Sequence, residues 1–186
     1  KNSGTVRMET KRLVLRPFVI EDAGAMFRNW ANDPQVTKFL SWEPHKDVEE
    51  TKKILEGWIA SYESKDFYTW AIAWREDEGN VIGSIAVPQL NQKAGRVTVG
   101  YCLGRKWWGN GIMKEAFAEL IRFFFEVEGA NRVEALHDTR NVNSGKVMMA
   151  CGLKKEGTLR QYGWNNQGIC DECIYGMVAS DYFEGK

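Results

Sequence analysis

The sequence lacks an excess of charge of either sign, because 25 lysine and arginine residues balance 25 aspartate and glutamate residues. Nucleic-acid-binding proteins usually have a basic excess, since contacts to phosphates supply most of their affinity. No run of apolar residues approaches the roughly 18 that a transmembrane helix requires, and the N-terminus has no apolar segment of signal-peptide type. We therefore expect no nucleic-acid partner and no membrane association.

Cysteine is also scarce: the chain contains only Cys102, Cys151, Cys170 and Cys173. This number is too small for a disulfide framework and predicts a reduced, cytoplasmic protein. Cys170 and Cys173 lie three residues apart on a predicted strand, so their side chains point to opposite faces. Because no second cysteine pair could complete a tetrahedral zinc site, we expect no metal.

The length of 186 residues and the hydrophobic content of 44% fit one domain with a full core. Residues 1–7 are predicted to be an N-terminal extension, because the sequence from Met8 onwards reads like a natural start. Residues 8–183 then form a single domain. They contain no repeat, no low-complexity tract and no interdomain linker.

Hydrophobic periodicity predicts a strand, two helices, three strands, a helix, a strand, a helix and a final hairpin. The segments are 10–18, 21–30, 47–62, 67–74, 81–88, 96–103, 113–128, 133–137, 141–151, 154–162 and 169–178. A helix between strands 96–103 and 133–137 implies that these two strands are parallel. The predicted class is α/β (α+β), with a mixed, mostly antiparallel sheet of about seven strands flanked by about four helices.

The most informative stretch is 99–113, in which a strand leads through a glycine-rich turn into an amphipathic helix. The first N–H groups of a helix have no internal acceptor and favour an anion. Gly109 and Gly111 would let the backbone approach a diphosphate closely, and Lys106 would add a positive charge. The alternative is that these glycines only turn the chain. A P-loop is excluded because Asn110 and Gly111 stand where that motif requires Lys and Ser or Thr.

The segment from Lys106 to Gly111, KWWGNG, resembles the Gln/Arg-x-x-Gly-x-Gly/Ala signature of the GNAT superfamily, with Lys in place of Gln or Arg. With Glu115 and Ala116 following, it is most similar to the Rim-type branch, the ribosomal-protein N-terminal acetyltransferases and their relatives. Segments 10–17, 132–135 and 151–157 and the Asn141-x-x-Ser144 pattern are also similar to that branch. The resemblance covers residues 8–183 and implies the GNAT fold.

The resemblance implies an N-acetyltransferase that binds acetyl-CoA where strands 96–103 and 132–138 splay apart. The pantetheine arm would lie along the edge of the first strand and contact Asn141. The turn and the helix start would hold the diphosphate through backbone N–H groups. The implied co-substrate-binding residues are Tyr101, Cys102, Leu103, Lys106, Trp108, Gly109, Asn110, Gly111, Ile112, Met113 and Asn141.

The implied reaction is direct attack of a neutral amine on the thioester, with a backbone N–H stabilising the oxyanion. Ser144 would protonate the leaving thiolate, although Asn141 or Ser144 could instead cap a helix. Many relatives carry a glutamate general base where this chain has Thr98. His137, Asp171 or a water chain therefore remain for that role, and Glu172 and His45 rank below them.

The acceptor is an amine that the sequence does not identify. A protein N-terminus, a free amino acid, a polyamine and an antibiotic amine all stay open, as does a non-catalytic acyl-CoA sensor. In the Rim-type branch the region near 30–62 and the final hairpin shape the acceptor pocket, which places Trp42 and His45 in that zone. Dimers are common in the branch, so a homodimer is also open.

Overall fold

A mixed sheet of eight strands organises the fold in the computed structural model, which describes all residues from 1 to 186. The spatial order is β1-β2-β3-β4-β5-β6-β8-β7. The strands are β1 (Met8–Glu9), β2 (Leu13–Arg16), β3 (Thr69–Trp74), β4 (Gly83–Asn91), β5 (Arg96–Leu103), β6 (Arg132–Asp138), β7 (Lys154–Asn165) and β8 (Gly168–Val178). All neighbouring strands are antiparallel except β5 and β6, which are parallel. The predicted fold class is confirmed.

Six α-helices accompany the sheet. They are α1 (Ala23–Met26), α2 (Pro34–Thr37), α3 (Val48–Ser61), α4 (Ile112–Arg122), α5 (Val142–Ala150) and α6 (Ala179–Glu184). The helical pattern predicted over 113–128 corresponds to α4 and a π-helical continuation, Phe123–Glu128, that ends at Gly129 in a left-handed conformation. The short α2 and α6 and the two-residue β1 account for the difference from the predicted numbers, since such short elements leave no periodic signal.

Apolar side chains cover both faces of the sheet. On one face, Phe117 and Leu120 of α4 and Met148 of α5 pack against Val133 and Ala135 of β6. The other face forms a second apolar cluster in which α1 and α3 cover the sheet around β3, with fully buried Trp30 and Leu55 among its members. Helices therefore cover both faces of the sheet, α4 and α5 on one and α1 and α3 on the other.

The parallel pairing of β5 and β6 is short. It joins Arg96–Val99 to Arg132–Ala135 and then stops. Beyond this point β5 continues beside β4 as far as Leu103, while β6 continues beside β8 as far as Asp138. The two strands therefore diverge towards their carboxyl ends and open a V-shaped gap between them.

Residues 1–7, predicted as an extension, contact the domain along the edge of β3. Ser3 donates from its N–H and its hydroxyl to the buried carboxylate of Glu128, at 2.8 and 2.6 Å. Trp70 Nε1 donates to the carbonyl of Val6 at 2.7 Å. No helix in the fold has the length and apolar character needed to cross a membrane.

Candidate active site

The V-shaped gap between β5 and β6 is a cleft of about 710 Å³. Its walls are the ends of β5 and β6, the turn into α4, the start of α5 and the segment 35–40. Most of the residues that the sequence predicted for the site line this cleft. They are Tyr101, Cys102, Leu103, Trp108, Gly109, Gly111, Ile112, Met113, Asn141 and Ser144.

Lys106 and Asn110 are the two predicted co-substrate-binding residues that do not line the cleft. The Lys106 ammonium lies over the ring of Trp107, 5.5 Å from its centroid, and the residue is exposed. The Asn110 side chain donates to the carbonyls of Trp107 and Trp108, at 3.3 and 3.1 Å. The Asn110 carbonyl accepts from the guanidinium of Arg12 at 3.1 Å. These contacts hold the turn in shape from its outer side.

The turn presents a row of free amides to the cleft. None of the backbone N–H groups from Gly109 to Lys114 donates to a protein acceptor, and the first helical bond of α4 runs from Glu115 N–H to the Gly111 carbonyl. Consecutive free N–H groups at the start of a helix form an anion-binding site, because their dipoles converge on one point. A diphosphate matches this site in charge and in the number of acceptor oxygens.

The shape of the turn depends on two glycines. Gly109 and Gly111 have φ angles of +80° and +70°, and this left-handed region costs other residues about 1–2 kcal/mol. A Cβ atom at Gly109 would meet no atom within 4 Å, so that position is open towards solvent and ligand. Both glycines therefore serve the backbone conformation of the turn.

The open edge of β5 offers a second set of free backbone groups. Gly104 N–H donates towards the β4 side, to the Ile82 carbonyl at 2.8 Å. Backbone groups alternate along a strand, so those of Tyr101 and Leu103 point to the other side, where β6 has separated. The Leu103 carbonyl accepts from Trp108 Nε1 at 2.7 Å. An extended chain carrying amide groups could pair with the remaining edge.

Ser144 lies in the first turn of α5 and contacts the side chain of Tyr101 across the cleft. The Ser144 hydroxyl donates to the Tyr101 hydroxyl at 3.1 Å, and Tyr101 donates to the Ser144 carbonyl at 3.0 Å. Burial raises the pKa of Tyr101, so its hydroxyl stays protonated. The side chain of Asn141, at the N-cap of α5, makes no capping hydrogen bond, which leaves its amide free for a ligand.

The general-base candidates predicted from the sequence lie in different surroundings. The buried ring of His137 contacts α5: its Nδ1 is 2.6 Å from the Asp138 carbonyl, and its Nε2 has no partner. A Cβ atom at Gly145 would lie 2.6 Å from that Nε2. Asp171 does not line the cleft, and its carboxylate accepts from the Gln161 N–H at 2.7 Å. His45 binds Thr51 outside the cleft at 2.7 Å.

A carboxylate does lie beside Thr98, but it comes from the next strand. Glu134 accepts from the Thr98 hydroxyl at 2.9 Å and from Arg132 Nε at 2.9 Å, and Arg96 Nε lies 3.8 Å away. It is buried and does not line the cleft. With a guanidinium on each side, this carboxylate has a structural role in the sheet.

The acceptor side of the cleft, opposite the turn, is formed by side chains that the sequence analysis did not identify. Asp138, at the end of β6, accepts from Arg140 Nη2 at 2.7 Å and from Asn165 Nδ2 at 3.0 Å. The Arg140 bonds hold the pKa of Asp138 well below its usual range. Arg140 in turn lies over the ring of Phe39, 6.0 Å from its centroid.

Asn166 connects the hairpin turn to the segment that closes the cleft. Its side chain donates to the carbonyls of Thr37 and Trp42 at 2.8 and 2.7 Å, and its N–H donates to the Leu40 carbonyl at 3.0 Å. The region predicted to shape the acceptor pocket is thus joined to the final hairpin. Trp42 contributes its carbonyl to this connection, and its side chain stacks near His45 with ring centroids 5.0 Å apart.

Comparison with known proteins agrees with this geometry. The Acetyltransferase (GNAT) domain family matches residues 12–154. The uncharacterized N-acetyltransferase YoaA of Bacillus subtilis is 32% identical over 171 residues, which cover 92% of this chain and 96% of that protein. The ribosomal protein uS5-alanine N-acetyltransferase of Escherichia coli is 27% identical, with 100% of this chain and 97% of that protein covered.

A solved structure of RimL, a ribosomal L7/L12 α-N-protein acetyltransferase in complex with coenzyme A, has the same fold. It superposes with a TM-score of 0.83, covering 95% of this chain and 99% of that one at 19% identity. Together with the family match, the fold and the cleft are those of an acyltransferase. The chain belongs to the GNAT acetyltransferase family, and its relatives include a ribosomal-protein N-acetyltransferase of the Rim type. It is therefore an N-acetyltransferase, and its structural neighbours bind coenzyme A or acetyl-CoA.

Proposed function

We propose that this chain transfers the acetyl group of acetyl-CoA to the N-terminal amine of a protein. The observation that carries the proposal is the pair of free backbone stretches in one cleft, the open edge of β5 at Tyr101 and Leu103 and the amides from Gly109 to Lys114. Such a pair suits a ligand with an amide-containing arm at one end and a diphosphate at the other. Acetyl-CoA has that order, because its pantetheine arm connects the thioester to a diphosphate.

The proposed binding assigns one part of acetyl-CoA to each part of the cleft. The diphosphate accepts from the amides between Gly109 and Lys114, in the field of the α4 dipole. The pantetheine arm pairs with the open edge of β5 at Tyr101 and Leu103. It also forms a hydrogen bond with the side-chain amide of Asn141, which has no capping partner. The thioester then lies near Ser144, at the narrow end of the cleft.

The proposed reaction begins with attack of a neutral amine on the thioester carbonyl carbon. A free N–H of β5 stabilises the oxyanion that forms. When the C–S bond breaks, the thiolate takes a proton from the Ser144 hydroxyl, and the proton left on the nitrogen replaces the one that Ser144 lost. Tyr101 holds the Ser144 side chain for this step, since the two hydroxyls are 3.1 Å apart.

Two observations support a protein N-terminus as the acceptor. The relative from E. coli is named as an alanine N-acetyltransferase of ribosomal protein uS5, and 97% of its length aligns with this chain. In addition, Asn166 ties the segment 37–42 to the hairpin, which gives the acceptor side a fixed wall. A fixed wall suits an extended peptide end, because the α-amine and the backbone that follows it are the same in every protein acceptor.

The proposal can be tested by measuring thiol release from acetyl-CoA with three amines: a peptide with N-terminal alanine, spermidine and an aminoglycoside. We expect the peptide to have the highest kcat/KM, and the same peptide with a blocked N-terminus to release no thiol. Turnover of only the small amines would overturn the choice of acceptor. Failure of the protein to bind acetyl-CoA in a calorimetric titration would overturn the whole proposal.

A further inference from the structure

Two carboxylates line the cleft, Asp138 and Glu172, and they differ in their partners. Asp138 is bound by Arg140 and Asn165. No cation and no hydrogen-bond donor contacts the Glu172 carboxylate. Burial and the negative charge of Asp138 both raise its pKa. Partial burial of an unpaired charge is costly, so a carboxylate kept in this state in a cleft suits a ligand that supplies the missing cation.

The position of Glu172 directs it to the acceptor side. Residues alternate between the two faces of β8, and Cys173 and Tyr175 belong to the apolar core with α4 and α5. Glu172 therefore points to the opposite face, where it stands across from Asp138 in the β6–β8 pairing. It therefore lies beside Asp138 on the acceptor side of the cleft.

The neighbouring strand leaves room for this carboxylate. A Cβ atom at Gly163 of β7 would lie 2.7 Å from the Glu172 carboxyl carbon and 2.8 Å from Oε2. Any side chain at position 163 would therefore displace the Glu172 carboxylate. Because Gly163 has no side chain, it leaves space for the Glu172 carboxylate in the cleft and offers it no side-chain hydrogen bond.

We infer that Glu172 binds the acceptor ammonium and removes its proton. The inference rests on the proposed function and names the general base that the sequence left open. One proton moves from R–NH₃⁺ to the Glu172 carboxylate, which gives R–NH₂ and a neutral carboxylic acid. The nitrogen lone pair then forms the bond to the thioester carbon, and Glu172 releases its proton to water after product has left.

The surroundings of Glu172 suit this role. Burial raises its pKa, and the negative charge of Asp138 raises it further. The charged and titratable groups around it are Asp138 with Arg140 from β6 and its following loop, and Cys170 on its own strand. On β7 it faces Leu159 and Gly163, which carry no charge. A base works best when its pKa approaches the working pH, so a raised pKa favours proton removal.

Kinetics of the Glu172→Gln variant against pH test the inference, with the alanine-terminated peptide as acceptor. A general base contributes about 10²–10⁴-fold, so we expect kcat/KM at pH 7 to fall about 100-fold or more. A free α-amine has a pKa of about 7.7–8.0, and by pH 9 it is neutral without help, so the difference should shrink to under about tenfold. Glu172→Asp should regain part of the rate at pH 7.

Two further measurements distinguish a catalytic role of Glu172 from a structural one. Because a raised pKa means that the charged form is disfavoured in the fold, Glu172→Gln should keep or raise the thermal midpoint at pH 7. Its affinity for acetyl-CoA should stay as in the wild type. The matched control is Asp171→Asn, a carboxylate on the adjacent residue that lies outside the cleft, and its pH profile should not change.

The outcomes are distinct. A Glu172→Gln enzyme with the wild-type pH profile, or one that has lost acetyl-CoA binding, overturns the role of Glu172 while the proposed function stands. A uniform rate loss at all pH values, not narrowing towards pH 9, also overturns it. If the wild type acetylates no amine of the panel, the proposed function fails and the inference fails with it.

Discussion

The two sides of the cleft differ in what they are made of. The co-substrate side is a single stretch, 101–114, and it offers backbone groups: free amides, two left-handed glycines and an open strand edge. The acceptor side combines side chains from the end of β6, from β8 and from the segment 35–40. A ligand shared by a whole family can be held by the backbone, which varies little. A ligand that differs between relatives has to be recognised by side chains.

The largest expected effect falls on the backbone side. Gly109→Asp forces a non-glycine residue to φ +80° and adds a negative charge beside the diphosphate. We expect the Kd for acetyl-CoA, measured by calorimetry, to rise at least about 100-fold, since conformational strain alone costs about 1–2 kcal/mol and charge repulsion adds to it. The matched control is Gly129→Asp, with φ +76° and equally open space.

Gly129→Asp should lower stability by a similar amount and leave the affinity for acetyl-CoA unchanged. Equal loss of affinity in both variants would mean that general destabilisation, and not the anion site, explains the first result. The pair therefore tests whether the turn binds the diphosphate through its own groups.

The second-largest effect is expected at Ser144, where the co-substrate side and the acceptor side of the cleft meet. Ser144→Ala removes the proposed proton donor, and we expect kcat to fall about 100-fold with little change in the Kd for acetyl-CoA. Tyr101→Phe should have a smaller effect, because it removes only the hydroxyl that orients Ser144. The check is the kcat of each variant with the alanine-terminated peptide. An unchanged kcat in Ser144→Ala would assign thiolate protonation to water.

A third, smaller effect is expected at Asn141. Replacing it by alanine removes one side-chain hydrogen bond to the pantetheine arm, worth about 0.5–1.5 kcal/mol, so the Kd should rise up to about tenfold. Thermal stability should not change, because the side chain caps nothing. Asp47→Ala provides the contrast: Asp47 accepts from the Glu50 N–H as the cap of α3, and its loss should cost about 1 kcal/mol without affecting affinity. The opposite pattern would make Asn141 a capping residue.

The smallest effect is expected at Lys106. Its ammonium is exposed and lies over Trp107 instead of facing the cleft. Lys106→Gln should weaken acetyl-CoA binding by less than about fivefold, as for an exposed charge worth up to about 1 kcal/mol. The difference should vanish at high ionic strength because exposed charges are screened. A large, salt-insensitive loss would show that side-chain charge matters as much as the free amides.

The same contrast explains how much could be predicted from the sequence. The turn around Gly109 and Gly111 was recognisable because its signal is local: strand, glycines and amphipathic helix follow one another within a short stretch. The parallel pairing of β5 and β6 also followed from a local rule, since a helix connects them. Both predictions needed no knowledge of contacts between distant residues.

The acceptor side could not be predicted in the same way. The hydrogen bond between Asn166 and Trp42 joins residues 124 positions apart in the sequence. Hydrophobic periodicity carries no information about such a distant contact. Glu172 ranked low because the sequence does not show that Arg140 pairs with Asp138 and leaves Glu172 without a partner. The hydroxyl of Tyr101 was missed for a related reason, because only the folded chain brings it to Ser144.

The free amides from Gly109 to Lys114 can be tested directly by recording their NMR chemical shifts during titration with acetyl-CoA and with S-acetylpantetheine, which lacks the diphosphate. Acetyl-CoA is expected to shift these amide resonances strongly, whereas S-acetylpantetheine should shift Tyr101 and Leu103 and leave the turn unchanged. Saturation with acetyl-CoA without any change at Gly109–Lys114 would contradict the account of the site.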